Sequence, residues 1–172
     1  MATVATRLRA PSGPQRRGFT LVEMLVVLLL LGIAAALVTL RIDRDDRHLL
    51  QQEATRFAGA LEQASATAQW QAITLGVSAE GGTYRFWRRD GDGQWHVIAQ
   101  DEVLAPRALP EGIEIHPQHY AGAVVPANAI LPFRASGRND PYDIAMITRD
   151  WIARIASDPL NRVSFDIAPR SR

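Results

Sequence analysis

Between Phe19 and Leu40 the chain reads FTLVEMLVVLLLLGIAAALVTL, 22 residues that hold one charge, Glu23. At about 1.5 Å rise per residue, a helix of that length covers about 33 Å, enough for a hydrocarbon layer of roughly 30 Å. A core helix in a small soluble domain needs no run this long and unbroken. Four Arg (Arg7, Arg9, Arg16, Arg17) and no acid precede the run. That asymmetry predicts a cytoplasmic Met1 to Gly18 and a C-terminal body on the far side of the membrane.

The 172 residues suit one domain plus this appendage. Beyond Gly18 the chain holds 15 Arg against 18 acids, a net of −3, so its body has no general attraction for nucleic acid or anionic lipid. The chain contains no Cys, which removes disulfide frameworks, thiolate zinc sites and cysteine nucleophiles together.

Glu23 divides the readings of the apolar run. A plain single-pass anchor leaves it as an unexplained cost. A cleaved export signal, with Arg16-Arg17-Gly18-Phe19 as a twin-arginine pattern and Ala34 to Ala36 as the cut site, gives an exported soluble binding protein. That signal would be unusually hydrophobic from Met24 to Val38, and an acid is not expected inside it. The third reading uses the acid. Gly18 followed by FTLVE resembles the processing and methylation motif of type IV pilins and of the pseudopilins of type II secretion: Gly, an aromatic, Thr, an aliphatic pair, Glu, then a long apolar run.

The resemblance implies that a prepilin peptidase cuts after Gly18 and that the new amine of Phe19 is N-methylated. It implies that Glu23 is an assembly residue, meeting the terminal amine of a neighbouring subunit. A carboxylate in lipid is costly unless partnered, and a buried ion pair adds little net stability while either partner left alone is expensive. Glu23 would therefore set the axial register between subunits. A protonated, neutral Glu23 near the headgroups is the alternative.

After the charged stretch RIDRDDRHLL (Arg41 to Leu50) helical periodicity resumes. Leu50, Ala54, Phe57, Leu61, Ala64 and Ala68 fall on one face, and Glu53 and Arg56 are expected as an i,i+3 pair on the other. No Pro and only Gly32 and Gly59 interrupt Phe19 to Trp70. The spacing predicts one helix of about 50 residues, with a break near Asp43 to Asp46 as the alternative. From Ile73 onward the period shortens to that of strands. The runs are ITLGVSA, TYRFW, QWHVIA, IEIHP, AILPF, YDIAMI, WIARIA and RVSFDIA. Arg89 to Gln94 read as a hairpin turn. Asp101 to Val125 read as a long loop with one short strand near Ile113 to Ile115. Trp70, Trp87, Trp95 and Trp151 are expected as core or edge anchors.

The predicted fold is α+β: a long N-terminal helix, transmembrane in its first half, then an antiparallel β-sheet or small β-sandwich head. The expected divisions are a leader 1–18, a transmembrane or filament-core helix 19–40, an amphipathic helix half 41–70 and a β-rich head 71–172.

Candidate sites were few. Asp90 to Gly93 begin a calcium-loop pattern that even places Asp101 twelfth, but Trp95 stands where the tight turn requires Gly. Asp140 and Asp143 match a C-terminal calcium site only weakly. His116 and His119 are read as lying in a Pro-containing loop without a third ligand, and Ser136 as part of a turn. No catalytic set, cofactor site or metal site is expected, and the chain is not expected to be an enzyme. Arg134, Arg162, Arg170 and Arg172 are read as solvated rather than as a nucleic-acid patch.

The stretch from Glu53 to Ala79, an Ala-rich helix leading into a strand, resembles the pseudopilin H and FimT-like minor pilin family. So does Phe133 to Gly137 followed by a strand, with departures in detail. This resemblance implies a minor pseudopilin of type II secretion, near the tip of a periplasmic pseudopilus that helps drive folded proteins across the outer membrane. Its implied location is the inner membrane, single-pass with a periplasmic head, then the pseudopilus. Its implied partners are the other minor pseudopilins, the major pseudopilin, prepilin peptidase, the inner-membrane assembly platform and membrane lipid. An exoprotein or the secretin is a further candidate partner, and nucleic acid is not. A FimT-like minor pilin of a type IV pilus, DNA-binding or not, is the alternative.

Overall fold

The structure is a computed structural model that describes residues 21–171, with side chains of 36–45 left aside. The chain divides into two compact units, Met1–Leu40 and Arg41–Arg172. Helix α1 (Leu21–Trp70) contributes to both and is unbroken through Asp43 to Asp46.

In the first unit, Leu21 to Ala35 are all exposed in the isolated chain. In the second, the six residues of the predicted stripe, Leu50, Ala54, Phe57, Leu61, Ala64 and Ala68, are each 0% exposed. Ten strands follow the helix: β1 (Thr74–Glu80), β2 (Thr83–Arg89), β3 (Trp95–Val97), β4 (Arg107–Ala108), β5 (Glu114–Tyr120), β6 (Ala123–Val124), β7 (Leu131–Phe133), β8 (Tyr142–Ile147), β9 (Trp151–Ser157) and β10 (Val163–Pro169). They form two antiparallel sheets. Sheet A runs β3-β2-β1-β7, with β4 also on β2; sheet B runs β10-β9-β8-β5-β6.

Alternation along the strands selects the core. Leu75, Val77 and Ala79 of β1 are buried on one face, as are Tyr84 and Phe86 of β2. The Phe57 ring lies 4.6 Å from that of Tyr84 and 6.5 Å from that of Phe86, fixing α1 to sheet A through aromatic contacts. Sheet B supplies Ile115, Ile144, Met146, Ala153 and Ile155 to the same core. Arg47 places its guanidinium 5.2 Å from the Trp151 ring centroid, a cation–π contact that ties α1 to β9.

The outer face of sheet A explains two of the Trp. Trp87 donates from its indole nitrogen to the Ser78 hydroxyl at 2.8 Å. A Cβ on Gly76 would stand 2.6 Å from Ile130 Cγ2 and 3.0 Å from the Trp95 ring, so only Gly fits beneath them. Trp70 departs from expectation. It is 89% exposed, because it follows the last buried position of the stripe, Ala68.

The loop expected at Asp101 to Val125 is more ordered than its composition suggested. It contains β4, the seven-residue β5 and β6. His116 and Pro117 lie within β5, and a register irregularity between Pro117 and His119 accommodates the missing amide.

Candidate assembly surface

The Leu21 to Ala35 segment presents eleven large apolar side chains, from 40% exposed at Val27 to 84% at Leu21. They surround the helix instead of forming one stripe. An apolar surface of this extent marks a lipid or protein contact. Glu23 stands in the first turn, exposed, and is the one ionisable residue from Leu21 to Ala35. Acids are favoured there by the helix dipole. Gly18 and Phe19, the predicted processing residues, lie outside the described residues. Among the described residues no helix is long and apolar enough to cross a membrane. The side chains described from the apolar run end at Ala35, whereas the run in the sequence continues to Leu40.

In the second unit the polar groups are spent on architecture. Glu53, expected on the outer face of α1 beside Arg56, is instead 8% exposed and bound to β4. Arg107 donates Nε to its Oε2 at 3.1 Å and Nη2 to its Oε1 at 2.8 Å. This bidentate bond raises the Arg107 pKa further, so the pair stays ionised on the guanidinium side. Burial likewise raises the Tyr84 and Tyr142 hydroxyl pKa values, keeping both neutral.

A second polar group closes the far end of the buried stripe. Asn139, 5% exposed, donates Nδ2 to Asn161 Oδ1 at 2.7 Å and to Ser65 Oγ at 3.4 Å, and accepts the Arg134 amide at 2.6 Å. Asn161 donates its own Nδ2 to the Gly137 carbonyl at 2.7 Å. Gly137 has φ +74, and a Cβ there would meet Gln69 of α1 at 2.9 Å. The Phe-x-x-x-Gly turn is thus a place where backbone touches helix. Sequence reasoning flagged Gly137 but missed Asn139 and Asn161. Their signal is the left-handed turn at Asn161, φ 62, in an Asp-Pro-Leu-Asn stretch.

The remaining flagged residues do not converge on a reaction centre. Ser136 Oγ accepts the Arg138 amide within a turn. Asp140 accepts from Tyr120 at 3.0 Å and from Arg134 at 3.1 Å. Asp143 pairs instead with His119 at 3.7 Å, and His116 with Glu114 at 3.4 Å. Among the described residues no group of three or more His, Asp or Glu could hold a metal ion. Asp90 accepts from His96 and the Gln94 amide across the hairpin turn, which pulls its carboxyl below the usual range. The arginines are dispersed too. Arg134 is held by Asp140, Arg162 by Asp158 at 2.7 Å, and Arg170 by the Thr148 carbonyl. Arg172 lies outside the described residues.

Residues 14–39 match the prokaryotic N-terminal methylation motif. The solved structures decide the architecture of the rest. The chain superposes on the minor pseudopilin EpsH from the type 2 secretion system of Vibrio cholerae with TM-scores of 0.58 and 0.55. Those alignments are 18% and 17% identical and cover 73% and 67% of this chain, and 97% and 94% of those chains. The solution structure of GspH from E. coli gives 0.53 at 18% identity, covering 70% of this chain and 89% of that one. The fold is that of a minor pseudopilin. In sequence, the chain is 33% identical over 100 residues to type II secretion system protein H of Aeromonas hydrophila. That match takes in 56% of this chain and about half of the relative, 54%. The methylation motif falls within residues 14–39, and the solved structures cover 67–73% of the chain.

Proposed function

We propose that the chain is a minor pseudopilin of a type II secretion system, a structural subunit and not an enzyme, working at or near the tip of a periplasmic pseudopilus. The observation that carries this reading is the coexistence of two features in one chain. An all-round exposed apolar helix holds Glu23, and the β head has the pseudopilin H architecture. The partners follow from the same reading: other pseudopilins against the apolar helix, prepilin peptidase at Gly18 and Phe19, the inner-membrane assembly platform, and lipid before assembly. Glu23 acts as the register residue. Its carboxylate is tolerated among Leu, Val and Met side chains when a neighbour's terminal ammonium meets it.

Two measurements on membrane-extracted protein test the proposal. N-terminal sequencing should begin at methylated Phe19; a start at Leu37 would mean an exported soluble protein instead. Glu23→Ala should leave cleavage unchanged and lower incorporation into the filament on the order of tenfold. Normal incorporation of that variant removes the role given to the acid.

A further inference from the structure

Glu53 leaves a neighbour behind. Its carboxylate takes Arg107, and Arg56, three residues along α1, has no ion-pair partner among the described residues. Arg107 keeps a spare donor as well. Its Nε and Nη2 are engaged by Glu53, whereas Nη1 meets no acceptor among the described residues. The Arg107 side chain is 33% exposed, so solvent reaches it.

A third donor adjoins these two. Tyr84 is 2% exposed, its ring held by Phe57 at 4.6 Å and by Phe86 at 6.0 Å. Its hydroxyl makes no hydrogen bond to a described residue, yet no sealed side-chain oxygen among them lacks a partner. The oxygen therefore opens onto a space. That space is a cleft of about 450 Å³, lined by Arg56 of α1, Tyr84 of β2 and Arg107 of β4. Burial acts most strongly to raise the hydroxyl pKa, and Arg107, Glu53 and Arg56 act on it as charges, so all three stand near the oxygen. The hydroxyl stays neutral and keeps a proton to donate.

The facing wall is the loop before β4. Asp101 Oδ1 accepts the Val103 and Leu104 amides at 2.9 and 2.8 Å, which fixes the course of that loop. Val103, Ala105 and Pro106 line the cleft with apolar surface, and Val103 is 38% exposed. The exposed Glu102 borders it too. The charges of Arg56, Arg107, Glu53 and Glu102 cancel, so an anion is held there by converging donors and not by a net field. A singly charged group meets less repulsion from the two carboxylates than a dianion does.

We propose that this cleft binds one carboxylate carried on a short aliphatic stem. The Tyr84 hydroxyl, Arg56 and Arg107 Nη1 donate to its oxygens, and the stem lies along Val103 and Pro106. A carboxylate accepts about four hydrogen bonds over its two oxygens, enough for donors arriving from α1, β2 and β4. Water satisfies the hydroxyl but brings no charge to Arg56. The size of the cleft falls within the range of small-molecule sites.

The test titrates butyrate into the full chain in nonionic detergent micelles, followed by saturation-transfer NMR of the butyrate protons. Binding should saturate above the signal of empty micelles. Butyramide, which has the same shape without the charge, should bind about tenfold more weakly. Tyr84→Phe keeps the ring against Phe57 and removes the hydroxyl, and Arg56→Gln alters an exposed residue. Each should keep a cooperative melt and weaken butyrate about tenfold. Arg85→Gln, on the opposite face of β2, should leave the affinity as it was. A capped tripeptide with central glutamate separates the two sources of such a group. Tighter binding than butyrate gives the site to an acidic side chain of another protein, and weaker binding gives it to a free acid. Failure to saturate, equal affinity for butyramide, or affinity unchanged in both cleft variants overturns the proposal. So does tighter binding of inorganic phosphate than of butyrate.

Discussion

Glu53 shows what one side chain can hide. On a helical wheel it lies beside the apolar stripe, three residues from Arg56, and a surface pair is the economical reading. Its partner is Arg107, 54 positions away, and no local spacing can announce such a pair. The geometry gives it mechanical weight, since two charge-assisted bonds join α1 to β4. Glu53→Gln should lower the unfolding free energy by about 2 kcal/mol in urea titrations, the range for charged hydrogen bonds. The loss should stay below that of a fully buried pair, because the Arg107 side chain is 33% exposed. Trp70 is the opposite case. Its size suggested an anchor, but only its position relative to Ala68 decides burial, and it faces solvent.

At the level of elements, the helix stripe was legible because its 3.6-residue spacing is an internal property of α1, and all six of its residues reach the core. Strand runs with alternating burial, such as Thr83–Arg89, were legible for the same reason. β4 and β6 were not, because two-residue strands are defined by their neighbours Thr83, Tyr84, His119 and Tyr120. The β9–β10 turn carries a pH prediction. Asp158 accepts the Arg162 amide at 3.0 Å, Arg162 Nε at 2.8 Å and the Leu160 amide at 2.8 Å. The Arg162 amide leads in holding its carboxyl below the usual value. A depressed folded pKa means that its stabilising effect is complete above the unfolded value, about 3.9, and is lost as pH falls through the folded one. NMR titration of the carboxyl carbon should place the Asp158 midpoint below that of the same residue in unfolded chain. A midpoint at the unfolded value would show that the turn bonds do not favour the charged form.

For the whole molecule, the sequence announced both units but not the way strands combine. Pattern gave one sheet or a small sandwich; the two-sheet order depends on β7 returning to β1. Every residue of the principal hydrophobic cluster, from Leu50 to Ile155, lies in the second unit. A chain of residues 41–172 should therefore unfold in one transition within a few degrees of the full chain in detergent; a shift above about 8 °C, on the order of 2 kcal/mol for a domain this size, would mean that the first unit contributes to the core. The β1–β7 pairing also governs the order of events during folding. Leu75 must wait for Phe133, and the core that the α1 stripe joins is complete only once Ile155 is added. A ribosome or translocase delivering this polypeptide from its N-terminus would hold a sticky, half-wrapped rod until nearly the last strand emerged, so the head should be slow to form and dependent on chaperones for that interval.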